Sequence, residues 1–159
     1  YRGDCEMDKR GQREKPKVVI DASVAVKWVI PGEPWEMQAR ILEVKIASRE
    51  VEAYAPPLLL YEVASAILKS VLRGALKLGD GVEALTAIGR LGLNIQITSW
   101  NDLAEILDIA TTTKLTIYDS TYLHLSKKMN AKLVTADKEL KHRGRSVTEI
   151  ILLKDLNIT

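Results

Sequence analysis

The run Val18-Val19-Ile20, followed at once by Asp21, constrains this chain more than any other stretch. Three β-branched residues after Pro16 and Lys17 read as a short strand buried on both faces, which is what a parallel sheet covered by helices requires. A similar arrangement returns at Leu133-Val134-Thr135, with Asp137 two residues beyond the run. In open α/β sheets ligands bind outside the carboxyl ends of the strands. Two strands that each lead into an acid therefore mark that edge as the place to look for chemistry.

The rest of the sequence supplies the partners of such a sheet. Further strands are expected at Glu52 to Ala55, Asn94 to Thr98 and Glu149 to Leu153. Helices are expected over Ser23 to Val29, from Pro34 through Ile46, over Leu58 to Arg73 with Gly74 as the stop, and over Gly81 to Leu91. Three more are expected: one capped by Asn101 and running through Leu103, Ile106, Leu107 and Ala110, then Tyr118 to Met129 and Asp137 to His142. The stripe Val82, Leu85 and Ile88 reads as core rather than as a dimer face. Strands alternating with helices imply right-handed crossovers and an α/β fold with helices on both faces of the sheet.

A chain of 159 residues suits one domain. That domain is expected over 17–159, behind a charged tail, 1–16, too poor in apolar residues to offset its ordering entropy. No apolar run approaches a membrane span, and the N-terminal stretch lacks the apolar segment of a signal peptide. The single cysteine, Cys5, rules out an intrachain disulfide and favours a reducing, cytoplasmic setting. With two histidines and one cysteine there is no zinc cluster, so any metal must be held by oxygen.

Four acids are candidates for that role. Asp21 and Asp137 follow strands, and each is equally well read as a helix cap. Glu62 lies on a polar stripe with Ser65, Lys69 and Arg73 of a helix otherwise lined by Leu60, Val63, Ile67, Leu68 and Val71. That helix is expected to be largely buried, its stripe being either solvent-facing or the wall of a cleft. Asp119 falls within the apolar arc of Tyr122, Leu123, Leu125 and Met129, opposite His124, Lys127 and Lys128, so it is expected to point inward and to need a partner; it too is compatible with a capping role. Like charges about 4 Å apart repel by about 4 kcal/mol at an effective dielectric near 20, so four clustered carboxylates require cations or protons. Oxygen-only ligands select Mg²⁺ or Mn²⁺, the ions of phosphate chemistry. Ser23 and Thr135, each two residues from an acid, are candidates to orient a carboxylate, or to be ordinary helix-start and strand residues.

Four stretches in order resemble the PIN-domain family, and most closely its small stand-alone members, the VapC toxins of type II toxin–antitoxin pairs. They are Val19-Ile20-Asp21-Ala22-Ser23-Val24, Ala55-Pro56-Pro57 to Tyr61-Glu62-Val63, Thr116-Ile117-Tyr118-Asp119-Ser120 to Tyr122-Leu123, and Leu133-Val134-Thr135-Ala136-Asp137-Lys138. The resemblance spans about Lys17 to Leu153. It implies a three-layer α/β/α sandwich around a mainly parallel sheet, with Asp21, Glu62, Asp119 and Asp137 as catalytic metal ligands for Mg²⁺ or Mn²⁺. It also implies endoribonuclease activity, a homodimer and an antitoxin partner. The charged N-terminal tail departs from the family pattern.

A phosphatase of the HAD type wants a second Asp where Ser23 stands, and the paired acids of a response-regulator receiver are missing. A nuclease acting in RNA processing or on DNA, and a non-catalytic binding module, are the remaining alternatives. For RNA, phosphate contacts are expected from Lys69, Arg73 and the basic segment Lys138 to Arg145. No aromatic stacking platform is expected, because the chain has no Phe and Trp28, Trp35 and Trp100 lie in apolar contexts.

Overall fold

The computed structural model describes residues 14–157, so most of the expected tail, including Cys5, lies outside the described residues. Five strands form one sheet: β1 (Lys17–Ile20), β2 (Glu52–Ala55), β3 (Asn94–Ile95), β4 (Lys132–Thr135) and β5 (Ile150–Leu152). Their order is β3-β2-β1-β4-β5, and every pairing is parallel. The expected apolar runs are the two central strands: Val18 lies beside Lys132, Val19 beside Leu133, and Ile20 beside Val134. Val19, Ile20, Leu133, Val134 and Thr135 are completely buried, as strands covered on both faces must be.

Seven helices cover the sheet: α1 (Ala22–Val29), α2 (Glu36–Ala47), α3 (Leu58–Leu72), α4 (Leu78–Gly89), α5 (Trp100–Thr113), α6 (Ile117–Met129) and α7 (Lys138–Gly144). From β1 the chain steps outward through β2 to β3, then returns across the sheet to β4 and on to β5. Right-handed crossovers put α1 to α4 on one face and α5 to α7 on the other. Accordingly α1 packs with α2, α3 and α4, whereas α6 packs with α5, α7, β1 and β4. The direction of winding reverses between β1 and β4, and their carboxyl ends flank the crevice in which such sheets bind ligands.

Local chemistry explains where the helices begin. Ser99 rather than Asn101 caps α5: its hydroxyl accepts from the Asp102 N–H at 3.1 Å, and the Asp102 carboxylate accepts from the Ser99 N–H at 2.7 Å. This reciprocal pair satisfies two backbone donors, which Asn101 has no matching acid to do. Thr116 caps α6 through the Asp119 N–H. β3 is shorter than the expected Asn94 to Thr98; after the Gln96 N–H bonds Ala55 O, the chain leaves the sheet toward α5.

Three expectations about burial need correction. α3 turns Leu59, Val63, Ile67 and Ser70 to the core but leaves Leu60, Tyr61, Leu68 and Leu72 exposed, so it is not a largely buried helix. On α4 only Ile88 of the stripe is core, while Val82 and Leu85 face outward. The reason is common to both: the two helices form an outer layer over which no described residue packs, and an apolar stripe does not say what covers it. Trp28 is buried, its indole N–H donating to Ala39 O at 2.8 Å, yet Trp35 is half exposed and Trp100 is 87% exposed. His124, opposite the apolar arc of α6, is covered by α5, and its ring nitrogen Nε2 lies 2.8 Å from Glu105 Oε2.

Among the described residues no helix is long and apolar enough to cross a membrane.

Two glycines separate helix propensity from packing. A Cβ on Gly144 would stand 2.6 Å from a Leu123 methyl and 2.9 Å from an Ile150 methyl, both in the core, whereas one on Gly89 would meet nothing within 4 Å. Gly89→Ala is expected to stabilise the protein by about 0.5–1 kcal/mol through helix propensity alone. Gly144→Ala is expected to destabilise it by about 1–2 kcal/mol, because overpacking outweighs that gain. Urea unfolding of the two variants checks the opposite signs.

Candidate active site at the carboxyl edge of the sheet

Asp21 stands at the end of β1 and is only 5% exposed. Its Oδ1 accepts from the Ser23 hydroxyl at 2.6 Å and from the Val24 N–H at 3.3 Å, and its Oδ2 accepts from the Thr135 hydroxyl at 2.5 Å. The two hydroxyls also bind the far strand. Ser23 Oγ accepts from the Ala136 N–H at 2.8 Å, and Thr135 Oγ1 accepts from the Asp137 N–H at 3.0 Å. A strand that ends in a buried carboxylate needs donors for its oxygens. Ser23 and Thr135 supply them, and in doing so lace the end of β1 to the end of β4.

The other acids arrive on different elements. Asp137 is exposed and caps α7, its Oδ1 accepting from the Glu139 and Leu140 N–H groups at 2.8 and 3.1 Å. Asp119 sits in the first turn of α6, where its Oδ2 accepts from the Thr116 hydroxyl at 2.9 Å. It is partly exposed rather than directed into the apolar arc, because the cap of its own helix holds it at the solvent edge. Glu62 is half-buried near the start of α3, and its Oε2 accepts from the Tyr122 hydroxyl at 2.5 Å. Capping is thus real for Asp21 and Asp137, and it engages one oxygen of each.

Electrostatics link the four in two pairs. Burial pushes the Asp21 carboxyl up from its ordinary 3.8 to about 6; the hydroxyls of Ser23 and Thr135 and the Val24 N–H pull it back, and the charge of Asp137 pushes it up again. Burial also raises Glu62, opposed by its bond from Tyr122 and reinforced by the charge of Asp119. The Tyr122 phenol is raised far above its usual value, first by burial, then by Glu62, and further by Asp21. The acids therefore act in two pairs, Asp137 on Asp21 and Asp119 on Glu62, and the Tyr122 phenol feels one member of each.

This convergence is electrostatic and stops short of a finished coordination shell. Among the described residues no three His, Cys, Asp or Glu side chains stand as a ready-made metal cage. The donor chemistry nevertheless suits a hard divalent cation: every candidate ligand is a carboxylate, and the protein's own hydrogen bonds take one oxygen each of Glu62, Asp119 and Asp137. Of the candidate phosphate contacts, Lys138 directly follows Asp137, and it is exposed, as are Lys69 and Arg73. The latter two lie about 10 and 16 Å along α3 from Glu62 at the helical rise, so they trail away from the crevice.

Sequence reasoning missed the part played by tyrosines. Tyr122 was counted in an apolar arc, although its buried ring ends in a hydroxyl that reaches Glu62. Tyr61 and Tyr118, each one residue before a candidate acid, are 75% and 61% exposed, so the chain does present aromatic surface on the helices that carry Glu62 and Asp119. The adjacency was the available signal.

Known proteins are similar over most of this length. Residues 18–146 match the model of the PIN domain. Ribonuclease VapC3 of Pyrobaculum aerophilum is 28% identical over 125 residues, covering 78% of this chain and 92% of that protein. A crystal structure of another Pyrobaculum aerophilum protein superposes with a TM-score of 0.68 at 21% identity, over 87% of this chain and 90% of that one. The Mycobacterium tuberculosis toxin VapC20, described as cleaving the sarcin-ricin loop, superposes with a TM-score of 0.62 at 12% identity, over 80% and 95%.

The raised Asp21 carboxyl has a measurable signature in protein freed of metal by EDTA. Between about pH 4 and 6 the native state retains a proton that the unfolded chain has released, so stability falls as pH rises through that window and levels above it. The total is about 3 kcal/mol for a shift of roughly two units. Asp21→Asn does not titrate, so its stability relative to wild type should rise by that order between pH 4 and 7 in urea unfolding; a pH-independent difference would contradict the assignment.

Proposed function

The chain belongs to the PIN-domain family, and from that premise we propose that it is a Mg²⁺- or Mn²⁺-dependent endoribonuclease of the VapC kind, the toxin of a toxin–antitoxin pair. The observation that carries the reading is the placement of the acids at the edge where a parallel sheet receives its ligand: Asp21 and Glu62 are raised first by burial and then, in smaller measure, by Asp137 and Asp119 respectively. Four negative groups so placed serve little purpose in a binding module without a cation between them.

In this reading Asp21, Glu62, Asp119 and Asp137 hold the ion. A bound Mg²⁺ or Mn²⁺ would let the carboxylates ionise together, polarise the scissile phosphate and acidify a water for attack at phosphorus. The chain's own contribution is placement. Ser23 and Thr135 fix both oxygens of Asp21 so that the carboxylate cannot swing away, and Thr116 restrains Asp119 in the same manner. Displacement at phosphorus then needs no serine, cysteine or lysine nucleophile, since water enters and the ester oxygen leaves. Lys138, exposed and directly after Asp137, with Lys69 and Arg73 farther along α3, supplies positive charge for the RNA backbone. Such a protein works in the cytoplasm, where its RNA and its antitoxin are.

The outward leucines of α3 and α4 support a homodimer. Leu68, Leu72, Leu78 and Val82 are each more than half exposed, a row of apolar side chains that a second copy would cover. Leu72→Glu should leave the monomer's fold intact, since Leu72 is 76% exposed, and shift the protein from dimer to monomer in light scattering after size exclusion.

The enzymatic reading has a direct test. Asp119→Asn is expected to reduce cleavage of single-stranded RNA at least a hundredfold while far-UV circular dichroism and the unfolding midpoint stay near wild type, because it removes one charge from a repulsive set. Wild-type protein should be inactive in excess EDTA and recover with Mg²⁺. Full activity of the variant, or activity in EDTA, would sink the proposal; cleavage of single-stranded DNA in place of RNA would move the substrate and keep the chemistry.

A further inference from the structure

Tyr122 stands among Leu123, Leu125 and the other core residues of α6, where any apolar side chain of its size would satisfy the packing. It is 2% exposed, and a phenol so buried needs a partner for its hydroxyl. The partner is Glu62 Oε2, 60 residues away in sequence and on the opposite layer of the molecule, at 2.5 Å. On its other side the hydroxyl faces the backbone N–H of Ala22, the residue after Asp21. One oxygen atom therefore lies at the meeting point of β1's end, α3 and α6, the elements that bring in Asp21, Glu62 and Asp119.

This placement has a chemical purpose distinct from packing. Glu62 reaches the crevice on a flexible arm with three torsions, and neither Ser65 nor Ala66, one turn on, offers it a cation. No other hydrogen bond engages its carboxylate among the described residues. Left alone, the side chain would sample solvent; tied at Oε2, it keeps Oε1 available. We propose that Tyr122 is a positioning residue, whose hydroxyl fixes the Glu62 carboxylate in the crevice and so sets the affinity of the site for its divalent cation. The proposal rests on the reading of the four acids as metal ligands. Hydrogen-bonding partners of metal ligands commonly govern affinity by ten- to a hundredfold when removed.

Mn²⁺ binding to the full chain without RNA, followed by the electron paramagnetic resonance of the free ion, tests this independently of catalysis. Tyr122→Phe keeps the ring and is expected to weaken Mn²⁺ binding about tenfold with little change in circular dichroism. In a Glu62→Ala background the same change should have no further effect, because Tyr122 acts through Glu62. A merely structural tyrosine would give equal losses in both backgrounds, and that result overturns the inference, as does a Tyr122→Phe protein that binds like wild type. If Tyr122→Phe does not fold, Glu62→Asp carries the question: it keeps the charge but withdraws it from the hydroxyl. It must weaken Mn²⁺ binding comparably, and wild-type affinity in it refutes the role. Absence of Mn²⁺ binding to wild-type protein instead defeats the metal-site reading itself.

Discussion

The end of β1 is held to the end of β4 by two hydroxyls that share one buried carboxylate, and the candidate site depends on that junction. Main-chain pairing ends with Ile20 beside Val134, where the Asp21 N–H still reaches Val134 O at 3.4 Å. Beyond that point Ser23 and Thr135 take over from the ladder. They bond to Asp21 and also to the backbone N–H groups of Ala136 and Asp137. The crevice is therefore walled by side-chain bonds in the place where an ordinary sheet would simply fray. α1 and α7 both start from this junction, so the directions of two helices and the positions of two acids are settled together.

Such a junction opposes the stability of the fold that contains it. A fully buried carboxylate facing a second negative charge is more costly than a neutral group of the same shape, and the hydroxyls recover only part of that cost. The surrounding core compensates: Val19, Ile20, Val24, Leu133 and Val134 are completely buried beside it. A rigid apolar layer thus supports a costly polar edge.

The parts legible from sequence were those with a short-range cause. Val18-Val19-Ile20 and Leu133-Val134-Thr135 announced central parallel strands because burial on both faces removes the polar residues that would interrupt an apolar run. The acids after them mark a candidate site because strand ends in this topology face a crevice. What escaped had a long-range cause. Tyr122 looks like any apolar residue of α6 until Glu62 is seen opposite it, and no spacing rule connects residues 60 apart. The outward leucines of α3 carry the periodicity of a buried helix, and only the absence of another layer reveals their exposure. Asp119 appeared to point inward on a helical projection because a projection ignores the cap, and Thr116 holds the side chain at the end of the helix. Ser99 displaced Asn101 as a cap through a reciprocal bond that propensity alone does not weigh.

The exposed row on α3 and α4 ties this protein's behaviour to its abundance. Leu68, Leu72, Leu78 and Val82 present wet hydrocarbon that gains free energy whenever something covers it. Any apolar surface that fits against it would be taken up according to its concentration, because mass action favours the associated form. How much of this hydrocarbon stays wet is therefore set by what the protein is mixed with, and at what concentration.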